Sequence, residues 1–171
     1  LRGYLTNYQN KNNCSKVTID NVRRILSSFF SWLEDEDYIV KSPVRRIHKV
    51  KTESYIKETL SDEELEKMRD CSSSVRDLAM LDLLISTGIR VGELVGINRS
   101  DLNFQERQCV VFGKGNKERL VYFNARAKIH LEAYLRERKD NNPALFVGLH
   151  APYKRLQISG VERRIKQLGA R

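Results

Sequence analysis

Residues 87–94 read Thr-Gly-Ile-Arg-Val-Gly-Glu-Leu, a short motif near the middle of the 171-residue chain. An apolar helical pattern stops at Gly88, as helices often do at glycine, and Arg90 follows where its side chain can be directed into a cleft. Glu93 stands three residues later, so a short helix brings its carboxylate beside the guanidinium. A guanidinium held in this way binds phosphate well through its planar fork of donors. The alternative is an ordinary surface ion pair.

Two β-rich runs follow this motif and flank a loop rich in glycine and lysine. The runs are residues 109–112 and 119–123, and the sequence between them contains Gly-Lys-Gly-Asn-Lys-Glu. This arrangement predicts a β-hairpin that exposes Lys114 and Lys117 at its tip, where they suit a phosphate or a groove of nucleic acid. The alternative is a solvated, lysine-rich turn. The glycine spacing does not fit a Walker loop.

Helical periodicity dominates the rest of the sequence. Residues 1–10 have the pattern of a helix end, and a second helix begins after Ser15, the expected N-cap. Its apolar stripe has helical spacing and is expected to be buried. The residues of that stripe are Ile19, Val22, Ile25, Leu26, Phe29, Phe30 and Leu33. We also expect four tyrosines, Tyr4, Tyr8, Tyr38 and Tyr122, to pack in the core or to be half-buried. The fold class is mainly α with a small antiparallel β-sheet.

The helical region and the later elements are separated by a basic stretch that contains proline. Residues 41–51 hold five Lys or Arg and one His without an acidic residue, and Pro43 argues against a long helix there. The predicted organisation is a helical domain over residues 1–50, a linker over residues 51–58 and a second domain over residues 59–171.

The second domain opens with a capping box, Ser61 to Glu64. A helix is predicted from Val75 to Thr87 with a buried face of Leu78, Leu81, Leu84 and Ile85. The remaining predicted elements are a short helix over residues 90–97, the hairpin, a helix over residues 125–138, a buried strand or turn over residues 145–147 and a helix that begins near residue 158.

The composition favours a polyanionic partner. The net charge is +9, which puts nucleic acid first and an anionic membrane second. The middle of the chain is neutral, whereas both ends are basic. Three widely separated cysteines imply neither a disulfide framework nor a metal site, and no apolar run approaches a membrane span. These features fit a cytoplasmic protein. The sequence opens on Leu1 in mid-pattern, so we expect a fragment.

Taken together, the two motifs resemble those of the tyrosine recombinase (phage integrase) family. That family has a Thr-Gly-x-Arg-x-x-Glu-Leu box, which matches residues 87–94, and a catalytic lysine in a β-hairpin about two dozen residues later. The Phe-Phe-Ser-Trp-Leu helix end at residues 29–33 and Ser42-Pro43 resemble its core-binding domain. The resemblance implies an N-terminal helical core-binding (SAM-like) domain, incomplete at its N-terminus, plus part of an α+β tyrosine recombinase catalytic domain.

The resemblance also implies roles for individual residues. Arg90 would bind the scissile phosphate, Lys114 would protonate the leaving 5′ oxygen and Glu93 would support the Arg90 region. The family uses no metal and no nucleotide cofactor, and it conserves energy in a 3′-phosphotyrosine. It cuts and rejoins double-stranded DNA to integrate, excise or resolve mobile or chromosomal elements, and it self-associates on DNA as a tetramer.

Other family residues are absent from the sequence. No His-x-x-Arg string occurs, and all seven tyrosines precede the place where the nucleophile belongs. In the family, the His-x-x-Arg string is the second catalytic box. Residues 158–171 resemble the helix that precedes it. We therefore expect a truncated recombinase that binds DNA but is inactive by itself. The alternative is a non-catalytic DNA-binding protein, or a decayed recombinase, on the same fold.

Further basic residues are candidates for DNA contact, with a solvated surface as the alternative. Two lie on the polar face of the helix over residues 15–33, and others lie in the basic stretch, in the hairpin and near the last helix. These residues are Arg23, Arg24, Lys41, Arg45, Arg46, His48, Lys49, Lys117, Lys154 and Arg155.

Overall fold

The computed structural model describes residues 1–51, 58–113, 115 and 117–170. The chain forms two compact units, Leu1–Glu58 and Thr59–Arg171. Most of the described residues in regular structure are helical, and a three-stranded antiparallel sheet lies in the second unit. The fold class is therefore the one expected from the sequence.

The first unit contains two helices, α1 (Arg2–Asn12) and α2 (Lys16–Asp35), which pack on each other. Ser15 caps α2 as predicted, since its hydroxyl accepts a hydrogen bond from the Thr18 amide at 3.2 Å. Among the described residues of this unit, the buried apolar ones are Leu5, Ile19 and Val44. Helix α2 thus forms where its periodicity and its cap predict.

The apolar stripe of α2 is less buried than expected. Ile25 is 69% exposed and Phe29 is 50% exposed, because the rest of the described unit is too small to cover a stripe that runs the length of a 20-residue helix. The expectation that Tyr4, Tyr38 and Tyr122 are buried or half-buried was wrong, because all three are exposed. Tyr8 is half-buried, as expected.

The basic stretch is anchored to α2 by carboxylates. The amide of Ser42 donates to Glu34 Oε2 at 3.0 Å, and the amide of Val50 donates to Asp20 Oδ1 at 3.0 Å. The stretch is non-helical, as Pro43 predicted. Its backbone is therefore fixed at both ends to one helix, while most of its basic side chains remain exposed.

The second unit begins with the predicted capping box. The Ser61 hydroxyl accepts from the Glu64 amide at 3.2 Å, and the Glu64 carboxylate accepts from the Ser61 amide at 2.8 Å. The elements then follow in the expected order with two additions, a single 3-10 turn (Arg99–Asp101) and a two-residue strand. They are α3 (Asp62–Asp70), α4 (Val75–Thr87), α5 (Val91–Gly96), β1 (Leu102–Asn103), β2 (Gln108–Phe112), β3 (Glu118–Tyr122), α6 (Ala125–Glu137) and α7 (Ile158–Gly169).

The sheet has the strand order β1-β2-β3, and β2 and β3 form the predicted hairpin with Val111 paired to Arg119. Helix α4 packs mainly on α6. The predicted buried face of α4 was partly wrong, because Ile85 is exposed whereas Ala79, Met80 and Leu83 are fully buried. Other elements pack around most of α4, so its buried residues are not confined to one face of the helix.

Two buried aspartates on α4 connect it to other helices. Asp77 accepts hydrogen bonds from Arg76 at 2.8 Å and from Arg164 of α7 at 2.6 Å. Asp82 accepts from Arg69 of α3 at 2.7 Å and contacts His130 of α6. Buried carboxylates require such partners, so these contacts fix the helices around the core.

Candidate active site and nucleic-acid interface

Arg90 lies in the short connection between the end of α4 and the start of α5. Gly88 terminates α4 in the left-handed conformation with φ 62°, and Arg90 is extended immediately before α5. Ile89 between them is buried. This geometry leaves the Arg90 side chain 80% exposed, so its guanidinium is accessible to a ligand.

The Glu93 carboxylate holds Arg90 at two points. Its Oε2 accepts from the Arg90 amide at 2.8 Å, and its Oε1 accepts from Arg90 Nη1 at 3.1 Å. The Glu93 side chain is only 5% exposed. The predicted pairing of these two residues is therefore present, and it is a mostly buried carboxylate that orients an exposed guanidinium.

The ionisation of Glu93 is favoured by these contacts. The hydrogen bond from the Arg90 amide is the main cause that lowers the pKa of Glu93 below its ordinary value of 4.5, and Arg119 and the Arg90 side chain lower it further against the opposing effect of burial. Glu93 is therefore an anion at neutral pH. It can hold its cationic partners throughout the physiological range.

The base of the β2–β3 hairpin lies beside Glu93. The amide of Gly113 donates to the Lys117 carbonyl at 2.9 Å and closes the hairpin. A Cβ atom at Gly113 would be 3.6 Å from Glu93 Oε1. Lys114, the residue expected to act as general acid, lies outside the described residues. Lys117 is exposed.

Arg119 is a residue of this site that the sequence reasoning did not select. Its Nη2 donates to Glu93 Oε2 at 2.8 Å. Arg119 is in phase with Val121 of β3 and with Phe123, which directly follows β3, and both are buried. Arg119 therefore occupies a core-facing position near the start of the strand. The sequence did contain a signal for this residue. A charged side chain on the same face of a strand as two apolar, core-facing residues requires a partner of opposite charge.

Most of the candidate DNA-contacting residues are exposed. They comprise Arg24, Lys41, Arg45, Arg46, His48, Lys49, Lys117 and Lys154. Five of these belong to the anchored stretch after α2, so that stretch presents a dense basic surface. DNA contact by these residues stays a prediction.

Three of the candidates have side-chain partners. Arg45 Nη1 lies 3.8 Å from Glu34 Oε1, although the Arg45 side chain is 67% exposed. Arg23 Nε donates to Asp20 Oδ1 at 2.8 Å, and its side chain is 15% exposed. Arg155 donates to the carbonyls of Val95 at 2.7 Å and Ile97 at 3.1 Å. Hydrogen bonds thus give Arg23 and Arg155 a role in the fold, and DNA contact by either residue stays a prediction.

Within the described part of the chain, no helix is both long enough and apolar enough to cross a membrane.

The fold is that of DNA recombinases and integrases. XerA recombinase aligns with a TM-score of 0.62 and 28% identity over 99% of this chain and 59% of that chain. A lambda integrase dimer bound to a COC′ core site aligns with a TM-score of 0.77 and 19% identity over 99% of this chain and 62% of that chain, a likeness of fold.

The sequence itself establishes the family. The chain belongs to the phage integrase family, whose sequence model matches residues 43–171. Tyrosine recombinase XerC of Staphylococcus aureus (strain bovine RF122 / ET3-1) is 36% identical over 140 residues, which are 78% of this chain and 46% of that protein. The chain thus spans about half the length of the curated relatives it matches.

Proposed function

We propose that this chain acts in site-specific DNA recombination, in which DNA strands are cut and rejoined through a 3′-phosphotyrosine. The chain holds duplex DNA and supplies the first part of the active site. The observation that carries this proposal is the exposed Arg90 guanidinium, held by the buried Glu93 carboxylate in a member of the phage integrase family.

Arg90 binds the scissile phosphate in this proposal. Negative charge develops on the phosphate oxygens as the attacking and leaving oxygens exchange, and donors fixed in advance stabilise that charge without reorganising. Glu93 supplies the fixation, because it holds both the amide and the side chain of Arg90. The exposed side of the guanidinium remains for the phosphate.

Lys114 is the proposed general acid. Cleavage leaves a 5′ oxygen that needs a proton, and an ammonium placed beside it supplies that proton in the transition state. The support for this role is the family resemblance together with the position of Lys114 in the sequence, one residue after Gly113, whose position beside Glu93 is described.

Duplex DNA is the proposed partner. The exposed basic stretch, which includes Arg45, Arg46 and Lys49, would neutralise phosphates and fix the position of the duplex. A lambda integrase tetramer has been solved bound to a Holliday junction, which supports self-association of this protein on DNA. The proposed place of action is the bacterial cytoplasm, where such a DNA substrate lies.

The chain taken alone is proposed to be inactive in strand cleavage. It contains no His-x-x-Arg string, and none of its seven tyrosines is assigned as the nucleophile by the family pattern. We expect no covalent adduct with a nicked suicide DNA substrate after denaturing electrophoresis. An adduct that mass spectrometry maps to any of these tyrosines would overturn the assignment.

The chemistry is tested in a full-length recombinase that carries this sequence. Lys114→Ala should slow cleavage of normal DNA by roughly 10²- to 10⁴-fold, the contribution of positioned proton transfer. A substrate with sulfur in place of the leaving 5′ oxygen should restore most of the rate, because a thiolate leaves without a proton. Arg90→Ala should not be rescued by sulfur, since it removes stabilisation of the phosphate itself.

Lys117→Ala is the matched control, because Lys117 lies in the same hairpin without a proposed role in proton transfer. Equal sulfur rescue of the Arg90 and Lys114 variants would contradict the two roles, as would a larger defect in Lys117→Ala than in Lys114→Ala. Unchanged cleavage in all three variants would show that neither Arg90 nor Lys114 has its proposed role in the reaction.

A further inference from the structure

The site contains two guanidinium groups but one carboxylate. Glu93 accepts hydrogen bonds from Arg90 at the start of α5, three positions away, and from Arg119 of β3, 26 positions away along the chain. The Glu93 side chain is 5% exposed, whereas those of Arg90 and Arg119 are 80% and 43% exposed. One buried anion therefore holds two cations whose outer parts reach solvent.

The charge of this cluster is not balanced within the described residues. Across residues 1–51, 58–113, 115 and 117–170, Arg90 and Arg119 each form an ion pair with Glu93 and with no other residue. Two positive groups against one negative group leave an excess of one positive charge at the surface. Such an excess, fixed by a buried hydrogen bond, attracts an anion.

The position of Arg119 in the sheet fixes the direction of its guanidinium. Arg119 is paired with Val111 in the β2–β3 ladder, and Val111 is buried. Register partners have their side chains on the same face of a sheet, so Arg119 emerges from the core-facing side at the hairpin end. Its Nη2 is used by Glu93 at 2.8 Å, which leaves the Nε and Nη1 donors without a recorded side-chain partner among the described residues.

We infer that Arg119 is a second phosphate-binding guanidinium, held beside Arg90 by their shared Glu93 carboxylate, and that it contacts the DNA backbone. This inference rests on the proposed function, since the ligand is the phosphodiester backbone of duplex DNA. It adds a binding residue that comes from the hairpin strand, so the start of α5 and the hairpin grip the backbone as one unit.

The test is duplex binding by this chain as a function of salt. Each phosphate contact contributes roughly 0.9 to the slope of the logarithm of affinity against the logarithm of salt concentration. Arg119→Gln keeps a hydrogen-bond donor for Glu93 but removes the charge. In Arg119→Gln, the magnitude of this slope should fall by about 1. The ratio of the affinity at 50 mM salt to the affinity at 200 mM salt should therefore be roughly three- to fourfold smaller than in the wild-type chain. Arg119→Lys keeps the charge and should keep most of the slope.

Arg126→Gln is the matched control. Arg126 is also paired with a glutamate, Glu66, at 2.8 Å, and its side chain is 50% exposed, but it lies outside the Glu93 cluster. Its variant should keep the wild-type slope. An unchanged slope in Arg119→Gln, while the wild-type chain binds with strong salt dependence, would overturn the inference and leave the proposed function intact. No binding by the wild-type chain at low salt would instead contradict the proposed function.

A second measurement does not depend on the folding of a variant. The wild-type chain is treated with an arginine-specific glyoxal reagent, with and without duplex DNA, and the modified positions are found by mass spectrometry. DNA should protect Arg119 and leave Arg126 reactive. Protection confined to Arg45 and Arg46, with Arg119 modified equally in both samples, would overturn the inference.

Discussion

Glu93 connects the two parts of the candidate site through one side chain. It accepts from the amide and the guanidinium of Arg90 and from the guanidinium of Arg119, and it lies next to the backbone of Gly113. A buried carboxylate with these partners holds their positions more firmly than a surface ion pair does, because burial limits the competition from water. Arg90, the residue proposed to bind phosphate, is exposed, and Glu93, which orients it, is buried.

Glu93→Gln should destabilise the second unit by roughly 1–3 kcal/mol, because hydrogen bonds from charged partners to a buried acceptor are weakened. The pKa of Glu93 is lowered in the folded state from its ordinary value of 4.5, so its stabilisation is complete above pH 4.5 and is lost as the pH falls through the lower, folded-state pKa. The gap between wild type and variant in urea unfolding should therefore be full at pH 7 and smaller at acidic pH.

Glu132→Gln serves as the control for this measurement. Glu132 is a partly exposed residue of α6 whose ion pair with Lys128 is 3.8 Å long, and exposed pairs of this kind contribute little. It should change the free energy of unfolding much less than Glu93→Gln. A stability gap for Glu93→Gln that is the same at pH 7 and at acidic pH would show that the negative charge of Glu93 does not stabilise the fold.

Among the secondary-structure elements, the stretch after α2 shows how an irregular segment is held in place. Asp20 accepts from the amide of Val50, 30 positions away, and from Arg23 Nε at 2.8 Å. These two hydrogen bonds, with that from Arg23 the larger cause, lower the pKa of Asp20 below its ordinary value. The basic side chains of the stretch therefore project from a backbone that is tied to a helix.

Asp20→Ala should release this end of the stretch. The Val50 amide loses its acceptor, so its hydrogen exchange should accelerate roughly two- to tenfold, the factor for one intramolecular hydrogen bond. Amide-resolved exchange by NMR measures it. Asp35→Ala, at the exposed end of α2, is the control and should leave Val50 unchanged. Equal exchange at Val50 in wild type and Asp20→Ala would show that Asp20 does not anchor the stretch.

The helices and the hairpin were predictable because their signals are local. Caps such as Ser15 and Ser61 and the stop at Gly88 lie next to the elements that they delimit. Strand β1 was not predictable, since it has two residues and exists only through its pairing with β2. The exposure of Ile25 was not predictable either. The spacing of apolar residues along α2 shows that one face is apolar, but it does not show whether another element packs on that face.

The candidate site divides in the same way. Arg90 and Glu93 were predictable as a pair, because three residues along a helix bring them together. The contact of Arg119 with Glu93 joins residues 26 positions apart, and only the fold brings them together. The hydrogen bonds of Arg155 to the carbonyls of Val95 and Ile97 likewise join segments about 60 residues apart, and only the fold brings them together.

For the whole molecule, charge and family membership point to the same partner. The chain carries 31 Lys and Arg against 22 Asp and Glu, and its excess of positive charge is concentrated in the stretch after α2 and toward the C-terminal end. Several acidic residues of the second unit, among them Asp77, Asp82 and Glu93, are buried against arginines. Their charges are offset by these arginines, so they contribute little repulsion toward a polyanion.

Titration of a labelled duplex with this chain, at two or more salt concentrations, tests the central claim most directly. The affinity should fall roughly tenfold or more for a fourfold rise in salt, because several phosphates are neutralised and their counterions released. The double variant Arg45→Glu/Arg46→Glu should weaken binding to all duplex sequences alike, since phosphate contacts fix position rather than sequence. Absence of binding at low salt, or an affinity that does not change with salt, would contradict the account.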